Sequence, residues 1–149
     1  MKQSVIVRAV IAASCTWVTL LPQGLNAQQA VPAQGVSAPG FTSKPILISP
    51  VAGDEGKEIV VISSEIAPGA SSPAHTHPGH CIVTVQAGVV EVRVEGKEAR
   101  RLQAGEATVN PPGPVHQFYN VGDGPVRMTQ TLLVEKGKPR TLTFPTPLP

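Results

Sequence analysis

Residues 89–97 read VVEVRVEGK. Val90, Val92 and Val94 alternate with Glu91, Arg93 and Glu95, so a strand here has one apolar face and one wet face. Glu95-Gly96-Lys97 then reads as the tight turn of a hairpin. Such a ribbon must bury its valine face against a second layer. Other β-branched segments follow at short intervals: Ile46–Ile48, Glu58–Ile66, Cys81–Gln86, Glu106–Val109, Val115–Val121 and Val126–Val134. Sixteen prolines and 14 glycines punctuate them, and no stretch carries a capped amphipathic helical stripe. The expected fold class is all-β, a sandwich or barrel. A chain of 149 residues has room for one such domain.

The N-terminus has a different character. Lys2 and Arg8 precede an apolar run from Ala9 to Leu21, then Pro22 and Gly24, with Ala27 a small residue at a cleavage point. This is the shape of a secretory leader over residues 1–27, and the run is short for a permanent membrane span. Export to a periplasm or the exterior is therefore expected, with no stable membrane span after cleavage. Residues 28–44 are rich in Pro, Gly, Ala and Gln and read as a flexible linker. Residues 45–144 read as the folded domain and 145–149 as an extended tail.

Losing the leader changes the charge and the cysteine count. Of 12 Lys+Arg, Lys2 and Arg8 depart, leaving 10 against 10 Asp+Glu, and the formal +2 disappears. A neutral chain carries no nucleic-acid footprint, so nucleic acid is not an expected partner. Cys15 departs too, which leaves Cys81 alone and unable to form an internal disulfide.

All four histidines are His75, His77, His80 and His116. His75 and His77 stand at i, i+2, which on a strand puts both imidazoles on one face. His116 lies in PPGPVHQFYN, strand-like after a proline turn. A barrel interior could bring the three together around one ion.

Two longer patterns frame these residues. Gly69 is followed after five residues by His75-Thr76-His77, then Cys81, then Gly88. Gly105 is followed after five residues by Pro111-Pro112-Gly113, then His116, then Asn120. Together they resemble the two motifs of the cupins, over roughly Glu58 to Val134. The resemblance implies a double-stranded β-helix, a small jelly-roll-type barrel. It also implies one divalent metal held at His75, His77 and His116. Where most cupins place glutamate this chain has Cys81. On a straight strand the thiol points where the carboxylate would have pointed, so Cys81 is either a fourth ligand or a small buried hydrophobe filling that space. A thiolate among imidazoles favours Fe, Cu or Zn over Mn or Mg. His80 is either a solvent-facing turn residue or a second-shell partner of a ligand.

His-x-His followed shortly by His-Cys is also similar to the motif of the thiol dioxygenases, cupins that hold iron with three histidines. In some of these the cysteine is crosslinked to a tyrosine. Tyr119, the only tyrosine, points away from His116 on a straight strand, so a crosslink here needs a bulge. The function these readings imply is an exported metal cupin acting on a small molecule, with metal-dependent dioxygenase chemistry as the first guess. The alternative is a non-catalytic cupin that binds a small molecule or the metal itself. A homodimer fits either.

Overall fold

The structure, a computed structural model, describes residues 35–149; the expected leader lies outside the described residues. Eleven strands and no helix are present among them. No described helix is therefore long and apolar enough to cross a membrane.

The strands are β1 (Val36–Ala38), β2 (Phe41–Val51), β3 (Asp54–Ile66), β4 (Ala74–Thr76), β5 (His80–Ala87) and β6 (Val89–Val94). They continue with β7 (Arg100–Gln103), β8 (Ala107–Asn110), β9 (His116–Asn120), β10 (Val126–Glu135) and β11 (Leu142–Phe144). One sheet has the order β1-β2-β3-β10-β5-β8, the other β11-β4-β9-β6-β7, and every pairing is antiparallel. These are the two facing sheets of a double-stranded β-helix.

Period-two patterning explains the core. Val60, Ile62 and Ile66 of β3, Val83 and Val85 of β5, and Met128 and Leu132 of β10 point inward from the first sheet. Val90, Val92, Leu102 and Phe118 meet them from the second. Residues between them on each strand face outward, as in the alternating burial of β5. Asn120 closes one end. Its Nδ2 donates to the carbonyls of Ile66 (2.8 Å) and Gly124 (2.9 Å), and its Oδ1 accepts from the Gly122 amide.

One boundary differs from the sequence reading, that of the linker: its residues 36–38 and 41–44 are strands. Val36 pairs with Ser43 and Ala38 with Phe41, which is buried. The Pro/Gly-rich composition hides a hairpin. Pro39-Gly40 is its turn, and Gly40 takes a φ of 71° that a side chain would resist. The tail is docked. The Leu148 amide donates to Gln117 Oε1 (2.9 Å), and the single Tyr119 hydroxyl proton is shared between Gln117 Oε1 and the Leu148 carbonyl.

The bend at Pro78-Gly79 feeds β5, and Gly79 has no room for a side chain. A Cβ there would fall onto the Leu133 carbonyl of β10. Gly79→Ala is expected to cost about 1–3 kcal/mol, because the clash is with backbone that cannot rotate away. The check is a lowered denaturant midpoint at unchanged slope.

Candidate metal centre

His75 sits in β4 and His116 opens β9, and the two are cross-strand partners. His77 follows β4 and returns to the same side. All three are buried: 6%, 3% and 1% exposed for His75, His77 and His116. Their ring centroids lie 4.3 Å (His75–His116), 4.9 Å (His75–His77) and 5.2 Å (His77–His116) apart. One nitrogen from each falls within 4.8 Å of the others. Phe118, fully buried, packs against His75 and His116 and supplies an apolar floor.

The other nitrogen of each ring fixes its orientation. His75 Nδ1 donates to the Pro73 carbonyl (2.8 Å), His77 Nδ1 to the Arg140 carbonyl (2.8 Å) and His116 Nδ1 to the Pro114 carbonyl (3.2 Å). A carbonyl has no proton to give, so Nδ1 carries it and Nε2 keeps its lone pair. His77 Nε2 and His116 Nε2 are buried with no hydrogen-bond partner. Orphaned buried acceptors are costly, and a shared cation resolves both at once.

Electrostatics point the same way. Burial pulls the His75 imidazole down to about 3, helped by the nearby His116 and His77, against the Pro73 carbonyl. Burial, then His77, pulls His116 down to about 4. Burial also lowers His77, opposed by the Arg140 carbonyl. The rings are therefore neutral near pH 7, the protonation state a metal ligand needs.

The loop that reaches His77 is itself anchored. The Arg140 guanidinium grips the mostly buried Glu58 carboxylate, with Nη2 and Nε at 2.8 and 2.9 Å from the same oxygen. A small cleft of about 20 Å³ opens beside His75 and His77, walled by Phe41, Ile62, Gln130 and Thr141. Gln130 is a polar residue at an inward position of β10, and that break in the apolar alternation is its only sequence signal.

Two expected site residues stand elsewhere. Cys81 faces inward as its register required and is 0% exposed, but it belongs to the hydrophobic core and not to the converging group. The reason is reach. A thiol ends one atom beyond Cβ, where a glutamate extends three. Burial pushes the Cys81 thiol up to about 12, so it stays protonated in this environment. His80 is exposed on the outward face of β5 and orients none of the three buried histidines, a role taken by backbone carbonyls. Tyr119 lies on the face opposite His116, with Arg93 stacked 4.1 Å from its ring centroid, as the straight-strand reading anticipated.

Cys81→Ser is accordingly expected to leave metal content unchanged. It should lower stability by about 1–3 kcal/mol by burying a hydroxyl among apolar neighbours. Elemental analysis paired with denaturant unfolding separates the two effects, and loss of the metal would restore the thiol as a ligand.

Comparison with known proteins agrees with this architecture. Residues 63–135 match the family described as Cupin domain. No curated protein sequence matches the chain. An uncharacterised Klebsiella pneumoniae protein with a double-stranded β-helix domain superposes with a TM-score of 0.58 at 22% identity, covering 72% of this chain and 87% of that one. An oxalate oxidase bound to the substrate analogue glycolate gives 0.57 at 25% identity, covering 71% and 56%. The Bacillus subtilis oxalate decarboxylase, described with Mn(II) centres, gives 0.57 at 21% identity, covering 73% and 29%. The chain thus spans just over half of the oxidase and under a third of the decarboxylase.

Proposed function

Because this chain carries a small cupin domain, we propose that it is an exported metalloprotein that holds one divalent transition ion at His75, His77 and His116 and uses it to oxidise a small molecule with oxygen. The observation that carries this reading is the trio of neutral, buried imidazoles with anchored Nδ1 atoms and converging Nε2 atoms. When bound, the ion would supply Lewis-acid or redox chemistry. The chain's own contribution is positional. Three carbonyls lock the tautomers, Phe118 excludes water from one side, and a small cleft reaches His75 and His77 from the other.

Imidazole ligands suit Fe, Cu and Zn. With the thiol outside the converging group, that preference rests on nitrogen alone, so Mn(II), described for the Bacillus subtilis neighbour, joins the test. Protein loaded separately with Fe(II), Cu(II), Zn(II) and Mn(II) is assayed for oxygen uptake and carbon dioxide release with oxalate, phenolic and thiol substrates. Turnover by one loaded form, absent from metal-free protein, is the expected result. Stoichiometric binding without turnover by any form supports a non-catalytic metal- or ligand-binding protein instead. One observation favours that second reading: among the described residues, no carboxylate, lysine, tyrosine or cysteine lines the cleft beside the histidines.

A homodimer belongs to the same proposal. Ile82 and Val109 are cross-strand neighbours exposed on the outer face of the first sheet, where Leu133 is exposed too. Light scattering on the purified protein checks it: a dimer mass is expected, and Ile82→Lys should reduce it to the monomer.

A further inference from the structure

Gln130 interrupts an apolar row. Met128 and Leu132 flank it on the inward face of β10, and its cross-strand partners are Ile62 on β3 and Val83 on β5, all four buried. Gln130 itself is 4% exposed. Among the described residues its carboxamide makes no hydrogen bond. A leucine would pack against the same four neighbours with no polar group to satisfy, so packing does not account for an amide here.

The cleft beside the histidines does offer it something to face. Gln130 lines that cleft together with His75 and His77, and the apolar Phe41 and Ile62 complete the walls around it. A water needs about 10–15 Å³ of such space. The cleft's volume of about 20 Å³ therefore holds one water-sized ligand, and neither a ring nor a chain. The result is a small apolar space with two imidazoles and one unpaired carboxamide on its walls.

We propose that Gln130 holds a ligand of one or two heavy atoms beside the ion at His75, His77 and His116, with its Nε2 donating to a lone pair of that ligand. The inference rests on the metal reading and deepens it. Of the two partners in the proposed oxidation, this cleft takes the oxygen-sized one and leaves no room for the organic molecule. Gln130 acts on the ligand and not on the ion, so its loss leaves the ion in place.

The test loads full-length protein with Co(II), a coloured ion, and adds cyanide, a two-atom anion with an acceptor nitrogen. One Co(II) per chain is expected in the wild type and in Gln130→Leu. Cyanide should bind the wild type saturably, and Gln130→Leu should weaken it about tenfold, the effect of losing one buried hydrogen bond. The infrared C–N stretch of the bound cyanide should also differ between the two, which a purely structural role would not cause. Gln130→Asn, which withdraws the carboxamide by one methylene, should weaken cyanide as well. Benzoate, too large for the cleft, should not displace it. In metal-free protein, Gln130→Leu should have an unchanged or raised thermal midpoint, because an unpaired amide has been removed. Equal cyanide affinity in both variants at full Co(II) content would overturn the role of Gln130 and leave the metal reading standing. So would displacement of cyanide by benzoate, or a lowered midpoint in metal-free Gln130→Leu, which would assign the amide to the fold. A wild type that takes up no Co(II) would overturn both readings, and shows before any cyanide is added.

Discussion

His116→Ala is expected to abolish stoichiometric metal binding. Removing only an orienting partner of a ligand typically costs 10–100-fold in affinity. Removing the ligand itself should therefore weaken binding by more than about 100-fold. His116 is the side chain of choice because β9 places it opposite His75, and its Nε2 has no other partner to lose. The metal-free fold should survive, since the β3–β10–β5 core of Val60, Ile62, Val83, Val85, Met128 and Leu132 is untouched. A far-UV spectrum matching the wild type confirms that. His80→Ala is the paired control: exposed and outward, it should leave metal content intact. The account fails at its site if His116→Ala keeps the ion or His80→Ala loses it.

The second large effect is acid instability of the metal-free protein. His75 is held down to about 3 and His116 to about 4, with His77 also lowered, all chiefly by burial. Unfolded, the same rings titrate near 6.5. Between those values the unfolded chain binds protons that the folded chain refuses, so unfolding takes up protons. Stability is therefore full above about pH 6.5, falls as pH drops toward 4, and levels off once the folded rings protonate. Each fully shifted ring contributes about 1.4 kcal/mol per pH unit across its window. His75 and His116 together give a loss of several kcal/mol, comparable to the whole stability of a small domain, and His77 adds to it in the same direction. Denaturant midpoints at pH 8, 6 and 4 measure it. A flat profile over that range would mean the rings are not buried as described. A bound ion should hold the rings deprotonated and move the collapse to lower pH.

Part of this was legible because it rests on periodicity. The alternation of Val90, Val92 and Val94 fixed an inward and an outward face, and β6 keeps it. The same logic placed Cys81 inward and Tyr119 outward, and both are so. The His-x-His spacing placed two of the converging histidines together, and the second motif supplied the third. Contact is harder to read than direction. Cys81 faces the interior yet falls short, because reach depends on side-chain length against a distance the sequence does not state. The partner of His77 Nδ1 is a carbonyl 63 residues away, and a backbone carbonyl leaves no mark on composition. The β1–β2 hairpin escaped notice for a related reason. Pro39-Gly40 serves a turn as well as it serves a linker, and only the burial of Phe41 tells them apart.

The central claim is that His75, His77 and His116, and not Cys81, hold one ion. X-ray absorption at the edge of the metal bound by purified full-length protein reads those ligands directly. A first shell of nitrogen and oxygen, with the outer-shell scattering of imidazole rings and no sulfur, is the predicted result. A sulfur shell at about 2.3 Å, or a shell without imidazole scattering, would contradict it.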